Sequence, residues 1–302
     1  MRPGNDMAHA EHASDTKEYY FPHGSRLPFF GSVALFVLMA GAAATLNGAA
    51  VGGWILGLGF AGLFTLFFLW FGEVIRENQR GLYNEQVDRS FRMGMMWFIF
   101  SEVMFFAAFF GALFYARQLS VPWLAGEGAK AVTSILWPDF DASWPSIGPG
   151  EVAPRDDASY EIIPAFGVPA LNTALLLTSG LTITIAHHAL KSGHRGILRL
   201  FLALTFLLGF VFLGVQGWEY HHAWLELGLQ LGTGIYGSTF FMLTGFHGLH
   251  VLVGAIMLVV IWLRVMAGHF TPRQHFAFEA VAWYWHFVDV VWLGLFIFVY
   301  WL

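Results

Sequence analysis

Apolar residues in this chain gather in long runs separated by short polar stretches, with no period-2 alternation. Crossing a hydrocarbon layer of about 30 Å takes about 20 helical residues. Seven runs reach that length: about Leu27–Leu46, Ala50–Gly72, Met93–Ala116, Val168–His188, Ile197–Gly217, Gly237–Val265 and Glu279–Leu302. The pattern predicts an all-α polytopic membrane protein with seven transmembrane helices. A small-residue turn at Asn47 and Gly48 makes the first two runs a hairpin. The charged stretch Gly72 to Arg92 then sets the clearest internal boundary. The organisation expected is a cytoplasmic polar tail over residues 1–26, helices one and two over 27–72, a cytoplasmic connection over 73–92, and helices three to seven over 93–302. Within the last segment lies an external loop, 117–167.

Composition agrees with the pattern. With 57% hydrophobic and 12% charged residues in 302, the chain carries about half the charge of an ordinary soluble domain. It has no cysteine, which removes disulfides, thiolate-held clusters and a cysteine nucleophile, so any metal would rest on His or carboxylates. A net charge of -5 with only 15 Lys and Arg excludes nucleic acid as a partner. The tail lacks a basic start running into an apolar core and reads as retained. No internal repeat marks a transporter built from duplicated halves.

The basic residues set an orientation. With a cytoplasmic amino terminus and periplasmic carboxyl terminus, twelve Lys and Arg lie inside and only Arg117, Lys130 and Arg155 outside. The external loop carries Glu127, Asp139, Asp141, Glu151, Asp156, Asp157 and Glu161. It reads either as a face for a basic partner or as a solvated acidic loop.

Ionisable groups at membrane depth are costly and are functional candidates by default. Glu102 sits about ten residues into the third run and Asp289 about ten into the seventh. Glu102 reads as a protonatable site or as an acid hydrogen-bonded to a neighbouring helix. Its flanks are Phe, Met, Val and Ala, which favours a conformational role over a proton route. His286 precedes Asp289 by three residues on one helical face, a structural polar pair for packing the last helix. His247 and His250 raise a metal hypothesis, but their spacing cannot supply opposite axial ligands and no matching ligand set stands on other helices. The expectation is no metal. His187 and His188 read as interfacial anchors.

One further group is expected at the inner headgroup level: Trp70, Arg76 and Glu77 after the second run, Arg264 and His269 after the sixth. Arg pairs phosphate in bidentate geometry, so this group reads as a phospholipid site, the alternative being ordinary snorkelling.

At these residues the chain resembles subunit III of haem–copper cytochrome c oxidases. The matching stretches are GMMWFIFSEVMFFAAFF (Gly94 to Phe110), VPALNTALLLTSGLTITIAHHAL (Val168 to Leu190), YGSTFFMLTGFHGLHVLVG (Tyr236 to Gly254) and HFAFEAVAWYWHFVDVVWLGLFIFVYW (His275 to Trp301), with VIRE at Val74 to Glu77. The resemblance implies two-helix and five-helix bundles around a V-shaped cleft holding phospholipids. It implies no redox centre in this chain, since haem and copper belong to partner subunits I and II, which reduce oxygen with electrons from cytochrome c and pump protons. It makes Glu102 look like the family's carbodiimide-reactive glutamate, and Trp70, Arg76, Glu77, Arg264 and His269 like lipid contacts. It implies a role in sustaining proton uptake and turnover stability of subunit I. The loop 117–167 departs from the family by its length; subunit II, a small accessory subunit or cytochrome c could face it.

The expected protein is thus a lipid-binding subunit, without catalytic residues of its own, of a cytochrome c oxidase in the bacterial inner membrane. The alternative is an independent transporter or channel using Glu102 and Asp289. A histidine-ligated membrane metalloenzyme is a third class, separable by its metal content.

Overall fold

The computed structural model describes residues 24–149 and 160–302. Most of the polar tail and part of the external loop, including Glu151, Arg155, Asp156 and Asp157, lie outside the described residues. Among the described residues the structure is helical without strands, and seven helices are long and apolar enough to cross a membrane. The chain divides into two compact units, 1–90 and 91–302.

The first unit is a helical hairpin, α1 (Leu27–Leu46) and α2 (Gly52–Gln79). Glycines let the two backbones touch: a Cβ at Gly41 would stand 2.3 Å from the Leu56 nitrogen, and one at Gly59 would stand 2.5 Å from the Leu38 Cα. In lipid, where burial of apolar area gives no drive between helices, such contact is the main packing term. Asn47 ends α1, its side chain and its own N–H both donating to the Ala43 carbonyl, and Gly48 takes the positive φ of 74° that the turn requires. The outer faces keep large apolar groups exposed, Trp54 at 84% and Phe68 at 81%, as lipid contact demands.

α2 does not stop with its apolar run at Gly72. Glu73, Arg76 and Glu77 continue it for two turns, because Glu, Arg and Gln are good helix formers and the Glu73–Arg76 pair, at 2.6 Å, links one turn to the next. Gly81, with φ 71°, breaks the helix, and the Asn84 carboxamide oxygen accepts the Val87 N–H to begin α3 (Glu85–Tyr115). The connection read as 73–92 is therefore largely helical.

The second unit is built on four helices: α5 (Val168–Lys191), α6 (Arg195–Leu225), α7 (Gly234–Met266) and α8 (Phe276–Leu295). Each packs on the next, and α8 closes back on α5. At the centre lies Trp285, fully buried, its indole N–H donating to Ser179 Oγ at 2.9 Å. Gly209 and Gly254 make room for it, since added Cβ atoms would reach its ring at 2.6 and 2.9 Å. Trp292, also fully buried, donates to Thr173 Oγ1, and Thr182 meets Thr205 across α5 and α6. These polar contacts at membrane depth satisfy groups that lipid cannot.

α3 joins this bundle through rings: Phe98 on Tyr284, Phe105 on Phe246, and Phe106 on His250 and Phe287. It passes through a π-helical turn, Ala116–Ser120, into the short α4 (Val121–Leu124). The external loop is anchored to the bundle end, the Tyr236 N–H donating to the Ser146 carbonyl and the Glu161 N–H to the Leu227 carbonyl.

Candidate functional site

Glu102, on α3, does not stand alone in the membrane. His250 of α7 meets it, Nε2 to Oε2 at 2.9 Å. The other ring nitrogen, Nδ1, lies 2.6 Å from the Phe246 carbonyl oxygen. A carbonyl only accepts, so Nδ1 carries a hydrogen. Nε2 then either accepts from a protonated carboxyl or donates to a carboxylate, and in both cases one proton lies between the two groups. The pair is net neutral either way, which is how it tolerates its depth. Phe105, Phe106 and Tyr284 ring the imidazole at 5.9, 5.0 and 6.4 Å.

His247, one turn earlier, is fully buried, and its Nε2 donates to the Val288 carbonyl at 3.1 Å while Nδ1 has no partner. His286 and Asp289 share a face against Gly180, whose added Cβ would lie 2.7 Å from Asp289 Oδ2 and 3.7 Å from His286 Nδ1. The imidazole reaches Thr184 at 3.4 Å, and among the described residues no hydrogen bond joins it to Asp289. The expected polar pair is thus two neighbours docked on α5, each by its own contact. Asp289 Oδ1 has no partner.

The five headgroup residues divide between the units. In the first, Trp70 is 44% exposed, Arg76 holds Glu73, and Glu77 accepts the Tyr83 hydroxyl at 2.7 Å. In the second, Arg264 is only 9% exposed, yet among the described residues it has no ion pair. Its guanidinium lies 4.5 Å over the Phe270 ring, with Nε buried and unpartnered. The turn is held by the His269 N–H on the Arg264 carbonyl and by Arg195 donating to the Phe270 carbonyl at 2.7 Å. His269 Nδ1 is likewise buried without a partner. A largely buried guanidinium with an unpartnered Nε can receive an anion.

A cluster absent from the sequence reading stands at the same end of the second unit. Glu279, in the first turn of α8, takes Arg92 on Oε2, while Oε1 faces His187 Nε2 at 3.5 Å and His275 Nε2 at 3.2 Å. Phe276 supports Arg92 at 5.0 Å. The two imidazoles and the carboxylate bring ligand atoms within 4.8 Å of one another, a donor set suited to a divalent cation. Arg92 already balances the carboxylate, so the cluster also stands as an ion pair. His187, read as an anchor, is a member of it. Only the four-residue spacing of His275 and Glu279 signals the cluster in sequence; Arg92 is 187 residues from Glu279.

A family model described as "Cytochrome c oxidase subunit III" matches residues 17–127 and 129–302. A protein of Oncorhynchus masou named cytochrome c oxidase subunit 3 is 40% identical over 296 residues, 98% of this chain and 99% of the relative. Proteins of the same name from Squalus acanthias and Struthio camelus are 40% and 37% identical, with the same coverage.

Proposed function

Because this chain belongs to the cytochrome c oxidase subunit III family, a membrane component of an oxidoreductase complex with other oxidase subunits, we propose that it serves subunit I as a lipid-binding support. In this reading the chain houses no redox centre. Electrons and oxygen are handled by partner subunits, and this subunit sustains proton uptake and the working lifetime of the enzyme. The membrane is a bacterial inner membrane, with the amino terminus cytoplasmic.

The observation that carries the lipid role is Arg264. An arginine that is nine-tenths buried, its guanidinium over the Phe270 ring and without a carboxylate partner among the described residues, is suited to receive phosphate. Its rim position at the end of α7 puts it where headgroups lie. In the first unit Arg76, paired with Glu73, and the exposed Trp70 offer further rim groups. Glu102 takes the structural part: its proton is shared with His250 and its surroundings are phenyl rings, so it braces α3 on α7 and α8.

Purification of the tagged chain tests the subunit role, which requires a haem-containing partner and its visible spectrum in the eluate. Replacing Arg76 and Arg264 together with Ala tests the lipid role. The expected result is loss of bound phospholipid by mass spectrometry and a shorter turnover lifetime in an assembled oxidase. Unchanged lipid content would defeat the assignment.

A further inference from the structure

The Arg92–Glu279 ion pair accounts for only one side of its carboxylate. Arg92 sits on Oε2. Oε1 is left facing His275 Nε2 at 3.2 Å and His187 Nε2 at 3.5 Å, and both of these nitrogens are buried without a hydrogen bond. The His275 side chain is only 9% exposed. Its other nitrogen, Nδ1, lies 3.2 Å from the Thr271 carbonyl oxygen. A carbonyl only accepts, so Nδ1 carries the hydrogen of the neutral ring and Nε2 is left with a bare lone pair beside a carboxylate oxygen. Two such acceptors repel unless a positive centre joins them. A proton can do so for one nitrogen at a time, yet His275 Nε2 stands at hydrogen-bond distance from Oε1 without bonding it, so a hydrogen placed there misses the oxygen. A metal ion serves all three atoms at once. Ligands of one ion point at the ion and past each other.

The spacing selects the ion. Zinc holds imidazole nitrogen and carboxylate oxygen at about 2.0–2.2 Å in a tetrahedron, which sets its ligand atoms about 3.3–3.6 Å apart. The two edges that meet at Glu279, 3.2 and 3.5 Å, match this, and the third, between His187 and His275, is within 4.8 Å. The outer contacts also have the form that metal ligands need: a backbone carbonyl fixes the His275 tautomer, and Arg92 orients the carboxylate from its other oxygen. Two imidazoles and one carboxylate disfavour calcium and magnesium, which take oxygen ligands.

An ion can reach the cluster from the surface. The Arg92 and His187 side chains are 35% and 24% exposed, and residues 271–274, which lead into His275, are exposed. We propose that His187 Nε2, His275 Nε2 and Glu279 Oε1 bind a divalent zinc-type cation, with Arg92 remaining on Oε2 and water filling the fourth position. The sequence reading expects no metal, because no ligand set shows in the spacing within one helix; the fold assembles this one from α5, the residue before α8 and the first turn of α8. The site goes beyond the lipid-binding reading. Its ion carries no electrons and ties the turn between α7 and α8 to α5.

The test uses the assembled oxidase, washed with a chelator, given zinc chloride or magnesium chloride alone, passed through gel filtration and analysed for metal by mass spectrometry. His187→Gln and His275→Gln each remove one ligand and leave the Arg92–Glu279 pair in place. The expected result is that the native complex holds one more zinc than either variant, while magnesium is held equally by all three. A second measurement needs no variant and carries the test if neither assembles: backbone hydrogen exchange over residues 267–275 of the native complex slows in zinc and not in magnesium. Equal zinc in native and variant complexes overturns the proposal, as does exchange that zinc leaves unchanged.

Discussion

Replacing Glu102 separates its shape and hydrogen bonding from its charge. In Glu102→Gln, the amide N–H can still donate to His250 Nε2, because Nδ1 already holds a hydrogen against the Phe246 carbonyl. Glu102→Ala leaves Nε2 facing phenyl rings with nothing to bond. Interhelical hydrogen bonds in membranes average about 0.6 kcal/mol, reaching about 1.7. The orphaned imidazole nitrogen adds a desolvation cost of about 1–3 kcal/mol. The alanine variant should thus lose about 2–4 kcal/mol, a tenfold or greater drop in stability at 1.4 kcal/mol per decade, and the glutamine variant less than about 1 kcal/mol. The assay is denaturation of the assembled oxidase followed by oxygen consumption. Glu102→Gln should assemble and keep most oxygen reduction. Complete loss of turnover in an assembled Gln variant would refute the reasoning, since it would show that the carboxyl group's ability to ionise is required. Equal destabilisation by Gln and Ala would refute the hydrogen-bond assignment.

Other consequences can be checked separately. Glu279→Ala removes the carboxylate that Arg92, His187 and His275 face, and should cost about 1–3 kcal/mol, discounted for the partial exposure of Arg92, as a lowered denaturation midpoint that Glu279→Gln recovers only in part. Gly254→Leu drives a side chain into the Trp285 ring from 2.9 Å and should destabilise by about 1–3 kcal/mol or more, whereas the same change at Gly53, which faces open space, should be nearly silent in the same melt. Burial raises the Tyr160 phenol from 10.0 to about 12, so the folded loop favours the neutral form. Its contribution is present below pH 10 and is lost as pH rises toward 12. Hydrogen exchange at residues 160–167 should accelerate over that window, and Tyr160→Phe should remove the pH dependence.

The seven spans were legible because the bilayer imposes one length on every apolar run, and no tertiary knowledge is needed to count them. Their ends were not. Apolarity reports where lipid stops, while the helix stops where a cap or a glycine intervenes, so α2 runs on to Gln79 and α3 starts at Glu85. Arg264 was legible as a rim cation, because its distance from the start of its span fixes its depth. That it has no carboxylate partner among the described residues was not, since this depends on what α6 and the Phe270 turn place around it.

The two histidines of α7 show why partners resist reading while residues do not. Three residues along a helix turn the side chain by about 300°, leaving neighbours about 60° apart in direction. That offset is enough to aim His247 at the Val288 carbonyl and His250 at Glu102, one at α8 and the other at α3. A shared face therefore does not mean a shared target, and a metal bridging both rings through Nε2 would first have to break two hydrogen bonds. Glu102 and His250 are 148 residues apart and joined by nothing local. What ties them is depth, since an acid and a base near the middle of two packed helices each lose less by meeting than by facing hydrocarbon alone. Comparing depths across spans, rather than spacings within one, is the signal that would have found the pair.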